Sequence, residues 1–111
     1  LKGFKLLIYK FTIMEDQNST PFSFAMYLDK DFDSAIPAVK SALKSQGFGI
    51  LTEIDFQKTF KVKMEQDVKR CIQLGACNPP LAWKVYDHFQ DAAILLPCNV
   101  LVTEVEENKT K

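Results

Sequence analysis

The chain has 111 residues, of which 47% are hydrophobic and 25% are charged. This length fits a single domain, and the composition excludes a weakly hydrophobic, disordered chain. Lys and Arg number 14, and Asp and Glu also number 14, so the net charge is zero. Because a neutral chain has no general attraction for nucleic acid or anionic membranes, neither is expected as a partner.

Residues 1–21 are predicted to form an extension or a flexible leader. Lys2, Lys5 and Lys10 give residues 1–13 a charge of +3, which leaves 11 basic and 14 acidic side chains, a net of −3, in the remainder. The apolar run in this segment is too short for a membrane span or a signal peptide. Two interpretations stay open: translation begins at Met14, or the segment is an added strand or linker.

A globular domain is predicted over residues 22–105, and its first strand is expected at 22–28. This segment (FSFAMYL) alternates apolar and smaller side chains, as a half-buried strand does. Apolar residues then recur at helical spacing up to Gly47, which is a typical helix-ending residue. The second strand is expected at 48–54. Its predicted shared face consists of Phe48, Ile50, Thr52 and Ile54.

Next, Asp55 is expected to cap a short lysine-rich helix, and a third strand is expected at 69–76. Asn78 and Pro79 are favourable residues for the first positions of another helix. The buried stripe of that helix is predicted to be Leu81, Val85 and Phe89.

The end of the chain is predicted to contain two consecutive strands, at 92–96 and 99–105, followed by a frayed tail at 106–111. The predicted order is therefore β-α-β-α-β-α-β-β. Two strands without a helix between them are incompatible with a purely parallel sheet. The predicted fold class is α+β: a two-layer sandwich with helices packed on one face of a mostly antiparallel sheet.

Three sequence blocks, in this order, resemble the domain of unknown function family 302. They are GFGILTEIDFQ at 47–57, LGACNPPLAW at 74–83 and LLPCNVLV at 95–102. The resemblance extends from about residue 22 to residue 105. It implies a small domain of the TATA-binding-protein-like two-layer class that is able to form a homodimer. It implies no reaction, because this family is defined by sequence and fold.

The family's signature positions lie on eight residues, several of which carry carboxylate, thiol or amide side chains. They are Glu53, Asp55, Gly75, Cys77, Asn78, Pro79, Cys98 and Asn99. The chain departs from the family pattern at Cys71, where an aromatic residue is usual, and at Met64 and Glu65, where a Leu-Gly pair is common.

Cys77 precedes the predicted helix start, where the helix dipole and unpaired N–H groups would favour a thiolate. Cys98 lies in a similar strand–Cys–Asn context. If the two cysteines face each other, they and the amides of Asn78 and Asn99 could hold a soft metal, a redox disulfide or a small anionic ligand. The alternative is that both cysteines are inert, buried side chains that act as small hydrophobic residues, as free cysteines commonly do.

A zinc site with four ligands would need all three cysteines and His88, and no close pair of ligands exists among them. The odd number of cysteines fits a reducing cytoplasm better than a secreted disulfide framework. Glu53 and Asp55, two apart on a strand, are a candidate ligand-binding or acid–base pair, with helix capping by Asp55 as the simpler explanation. No residue is identified as catalytic.

Three hypotheses follow. The first is a domain that binds a small molecule or soft metal near Cys77, Asn78, Cys98 and Asn99, with no other cofactor. The second is a thiol redox or sulfur-transfer enzyme that uses Cys77 and Cys98. The third is a dimerisation module without site chemistry, in which a second chain covers an apolar face of the sheet.

Overall fold

The computed structural model describes residues 20–111. Most of the predicted leader and Met14 lie outside the described residues. Within them the α-helices are α1 (Phe32–Ser45), α2 (Phe56–Met64) and α3 (Pro79–His88), with a 3₁₀ helix at Gln90–Leu95. The strands are β1 (Gly49–Asp55), β2 (Cys71–Cys77), β3 (Cys98–Glu106) and β4 (Lys109–Thr110). No helix among residues 20–111 is long and apolar enough to cross a membrane.

The strands form one antiparallel sheet in the order β1-β2-β3-β4. The predicted α+β fold class is confirmed. Helix α1 begins at Asp31, whose carboxylate accepts a hydrogen bond from the Ser34 N–H at 2.7 Å. It ends before Gly47, whose φ of 83° is in the left-handed region that glycine favours.

The core lies between α1 and one face of the sheet. Its buried members are Phe32, Ala35, Leu43, Phe48, Leu74, Ala76 and Val102. Ile50, Ile72 and Val100 pack against this cluster from the same face of the sheet. The side of the sheet that faces α1 is therefore the side that forms the core of the described residues.

A bulge in β1 changes which residues share a face. Ile50 is opposite Ala76 and Thr52 is opposite Gly75, so Leu51 is the extra residue between two adjacent pairs. Because a bulge shifts the alternation by one residue, Thr52 and Ile54 point away from the face that Ile50 occupies. The predicted common face of these residues is wrong for this reason.

The predicted strand at 22–28 forms only two isolated bridges. Ser23 pairs with Thr20, and Leu28 exchanges two backbone hydrogen bonds with Thr110 at 2.7 and 3.0 Å. The neighbouring strand β4 has two residues, so it offers no partner along the rest of this segment. Phe22 and Phe24 are 90% and 81% exposed instead of half-buried.

Residues 92–95 of the predicted strand at 92–96 belong to the 3₁₀ helix instead, because an apolar run without alternation does not distinguish a helix from a strand. Strand β3 forms its hairpin with β4. Thr110 is fully buried, and its hydroxyl donates to the Lys30 carbonyl at 2.9 Å. Residues 106–111, predicted to be frayed, are therefore held against the domain.

Candidate functional site

The two cysteines of the predicted site lie at the same end of the sheet but differ in orientation. Cys98 is opposite Ala76 in the β2–β3 ladder, and Cys77 follows Ala76 along β2. Because side chains alternate between faces, Cys98 shares the face of Ala76 and Cys77 takes the opposite face. The register does not bring the two thiols together on one face.

The start of α3 offers no unpaired N–H group from its first three positions. Its first two residues, Pro79 and Pro80, have no backbone N–H. The N–H of the third, Leu81, donates to the side-chain oxygen of Asn78 at 3.3 Å. These three positions therefore offer no free backbone N–H to an anion, since the donors are either missing or already used. Ligand binding at this helix start stays a prediction.

Several of the family's signature residues near Cys77 and Cys98 hold the two ends of a peripheral segment. We call residues 79–97, which contain α3 and the 3₁₀ helix, the flap. At its first end, the Asn78 amide nitrogen lies 3.1 Å from the position that a β-carbon on Gly47 would occupy. At its second end, Pro97 lies against Gly75. Both ends of the flap are thus fixed to the rest of the domain through a glycine.

The flap buries little of its apolar surface. Helix α3 contacts mainly the 3₁₀ helix that follows it, and neither helix has a fully buried residue. Six large apolar side chains of the flap are 39% to 84% exposed. They are Trp83, Val85, Tyr86, Phe89, Ile94 and Leu95. The predicted buried stripe is wrong for Val85 and Phe89, because the described chain places no other element over that side of α3.

The side of the sheet away from the core is partly exposed, with Gly75 buried near its centre. We call this side the open face. Its positions, by alternation from the register, are Thr52, Ile54, Cys71, Gln73, Gly75, Cys77, Asn99, Leu101 and Thr103. None of these strand positions carries a charged side chain. Ile54 and Leu101 on this face are 42% and 54% exposed.

The two carboxylates of the predicted pair each have a structural partner. Glu53 accepts a hydrogen bond from Lys40 of α1 at 2.9 Å, in an exposed ion pair. Asp55 caps α2 by accepting from the Lys58 N–H at 3.0 Å. Both contacts explain these residues without acid–base chemistry.

A second charged pair connects α1 to the start of β2. Arg70 forms two hydrogen bonds to the carboxylate of Asp33 and lies over the Phe32 ring, 4.4 Å from its centroid. The hydrogen bonds from Arg70 lower the pKa of Asp33, and the same bonds raise the pKa of Arg70. No local sequence pattern indicates this pair, since its members are 37 positions apart in the chain.

A shallow hollow of about 260 Å³ lies on α2, among Gln57, Lys58, Lys61, Val62, Gln66 and Asp67. Its polar groups largely bind one another or the backbone: Lys61 pairs with Asp67 at 2.8 Å, and Gln57 donates to the Val68 carbonyl. It is therefore a weak candidate for a ligand site. Across residues 20–111, no three His, Cys, Asp or Glu side chains gather closely enough to hold a metal ion.

An antiparallel sheet with α1 packed on one face defines a small α+β domain. A family model for the Domain of unknown function DUF302 matches residues 24–111, and the chain belongs to this family. A comparison with curated proteins gives no match.

Among solved structures, the chain is similar to an uncharacterized conserved DUF302 protein from Bacillus stearothermophilus. The TM-score is 0.70 at 21% sequence identity, and the match covers 77% of this chain and 66% of that one. The chain thus spans just under two thirds of that protein. At this identity the likeness shows the fold alone.

Proposed function

We propose that this domain is a self-association module that works as a homodimer, with the flap and the open face as its contact surfaces. The observation that carries the proposal is the absence of charge from the open face over β1, β2 and β3 of the described chain. Protein surfaces normally carry charges, and the central part of an interface is depleted of them.

The exposed apolar area is of the size that a dimer needs. The six flap side chains, with Ile54 and Leu101 of the open face, are each at least 39% exposed. Given that aromatic and large aliphatic side chains carry on the order of 150–250 Å² each, they leave roughly 900 Å² accessible. A standard interface buries about 800 Å² from each partner.

The charges of the flap favour a second copy of the chain as the partner. They are few and of both signs, with Lys84 basic and Asp87 and Asp91 acidic. A surface with both signs can be complementary to itself across a two-fold axis, whereas a surface of one sign repels its own copy.

A ligand site or a redox pair at Cys77 and Cys98 has less support. Both need the two thiols within reach of each other, and the strand register assigns them to opposite faces of the sheet.

The test is the molar mass of the full chain in solution, by size-exclusion chromatography with light scattering over about 1 to 100 µM. We expect a dimer at the upper end of this range. A monomer throughout would contradict the proposal.

A further inference from the structure

We infer that the dimer contact is reciprocal: the flap of each copy covers the open face of the other copy. This inference rests on the proposed self-association and adds which surface meets which. It begins from the place where the flap rejoins the sheet. Pro97 lies against Gly75 and beside Thr52, and both of these residues belong to the open face. The flap therefore rejoins the sheet on the side of the open face.

The flap nevertheless leaves part of the open face of its own chain accessible, although Gly75 is buried. Ile54 and Leu101 are about half exposed, and the flap side chains Trp83, Ile94 and Leu95 are 62%, 84% and 80% exposed. One chain thus presents two adjacent apolar surfaces that meet at Pro97 and Gly75, and each keeps exposed apolar side chains beyond that contact. In a dimer with a two-fold axis, the flap of each copy would cover the open face of the other copy. This contact would occur twice, so both surfaces would be covered on both chains.

The side chains of the flap and of the open face differ in size, as a contact between the two surfaces would require. The exposed part of the open face includes smaller side chains, among them Thr52 and Asn99. The flap carries large ones, including the tilted pair Trp83 and Tyr86, whose ring centroids are 6.2 Å apart. Large side chains against a face of small ones give the close packing that interface cores share with protein interiors. A contact between two flaps would instead leave Ile54 and Leu101 in water.

The experiment uses two charged variants of the full chain and their mixture. The flap variant is Trp83→Lys with Ile94→Lys, and the sheet variant is Ile54→Glu with Leu101→Glu. The matched control is Val62→Glu with Met64→Lys on α2; these side chains are 68% and 64% exposed and belong neither to the flap nor to the strands of the open face. Circular dichroism and thermal melting show that each variant is folded before its association is measured by sedimentation velocity.

We expect each variant alone to dimerise at least tenfold more weakly than the unchanged chain, and the control to dimerise normally. In the equimolar mixture, a heterodimer contains one unchanged flap-to-sheet contact and one Lys-to-Glu contact. Association should therefore return in the mixture.

Three results would overturn the reciprocal contact. They are a sheet variant that dimerises normally, a flap variant that dimerises normally, and two weakened variants whose mixture stays monomeric. In each of these cases the dimer of the unchanged chain would still support the proposed function. If the unchanged chain is monomeric, both the reciprocal contact and the proposed self-association are wrong.

Discussion

Pro97 lies against Gly75 across the open face of the sheet, with its Cγ 2.9 Å from the position that a β-carbon on Gly75 would occupy. On the same face, the Thr52 hydroxyl is only 2.1 Å from that position. Gly75 is therefore required for its lack of a side chain, and its φ is not in the left-handed region. This close approach fixes the place where the flap rejoins the sheet.

Gly75→Ala should destabilise the fold, because the new methyl group would overlap both Thr52 and Pro97. Overpacking of this kind costs about 1–3 kcal/mol. The free energy of unfolding, from urea denaturation followed by circular dichroism, measures the loss.

Gly49→Ala is the matched control, since no atom lies within 4 Å of the corresponding position there. It should leave the free energy of unfolding nearly unchanged. Adding Thr52→Ala to Gly75→Ala should recover part of the loss by removing the closest overlapping atom. Equal stability of the two glycine variants would show that the contact at Gly75 is unimportant.

Asn78 should matter as a helix cap. Asn78→Ala removes the acceptor of the Leu81 N–H and should cost about 1 kcal/mol of stability, whereas Asn78→Asp keeps an acceptor and should cost little. Urea denaturation compares the two, with Asn99→Ala as a control on an exposed asparagine. If Asn78→Asp loses as much stability as Asn78→Ala, capping is not the role of this side chain.

The sequence predicted the elements whose local chemistry is unambiguous. Asn78 followed by Pro79 marked the start of α3, and Gly47 marked the end of α1. The bulge at Leu51 escaped prediction because it depends on the pairing of β1 with β2, and alternation along one strand gives no sign of it.

The candidate site was harder to predict than the fold. Apolar spacing in α3 indicated a buried stripe, but spacing alone does not show whether the covering surface comes from the same chain. The motif around Cys77 suggested chemistry, whereas its neighbours Gly75 and Asn78 make contacts that position the flap. The relative orientation of Cys77 and Cys98 depends on strand register, which the sequence leaves open.

The ion pair of Asp33 and Arg70 should make stability depend on pH in the acid range. Because the folded pKa of Asp33 is lowered from 3.8, its contribution is fully present above this value and is lost as the pH falls through the folded pKa. The difference in free energy of unfolding between the unchanged chain and Asp33→Asn should be constant near neutral pH and should shrink below about pH 4.

Urea denaturation between about pH 2.5 and 7 checks this, with the exposed Asp29→Asn as the control. A difference that stays the same across this range would mean that the carboxylate charge of Asp33 does not stabilise the fold.

The cysteines should not act as a pair. Since Cys77 and Cys98 lie on opposite faces of the sheet by register, we expect no tight copper(I) site that needs both thiols. Titration against a competing copper(I) chelator measures this for the unchanged chain, Cys77→Ser, Cys98→Ser and the control Cys71→Ser. One bound ion per chain, lost equally in the first two variants and kept in the third, would contradict the assignment of faces.

The central claim is that an uncharged apolar surface makes two copies of this chain associate. Sedimentation equilibrium of the full chain at about 0.1 M and about 1 M NaCl tests it most directly, because salt weakens contacts between charges and leaves apolar contacts intact. We predict a dimer whose dissociation constant stays the same or falls at high salt. A monomer at both salt concentrations, or a dimer that dissociates at high salt, would contradict the claim.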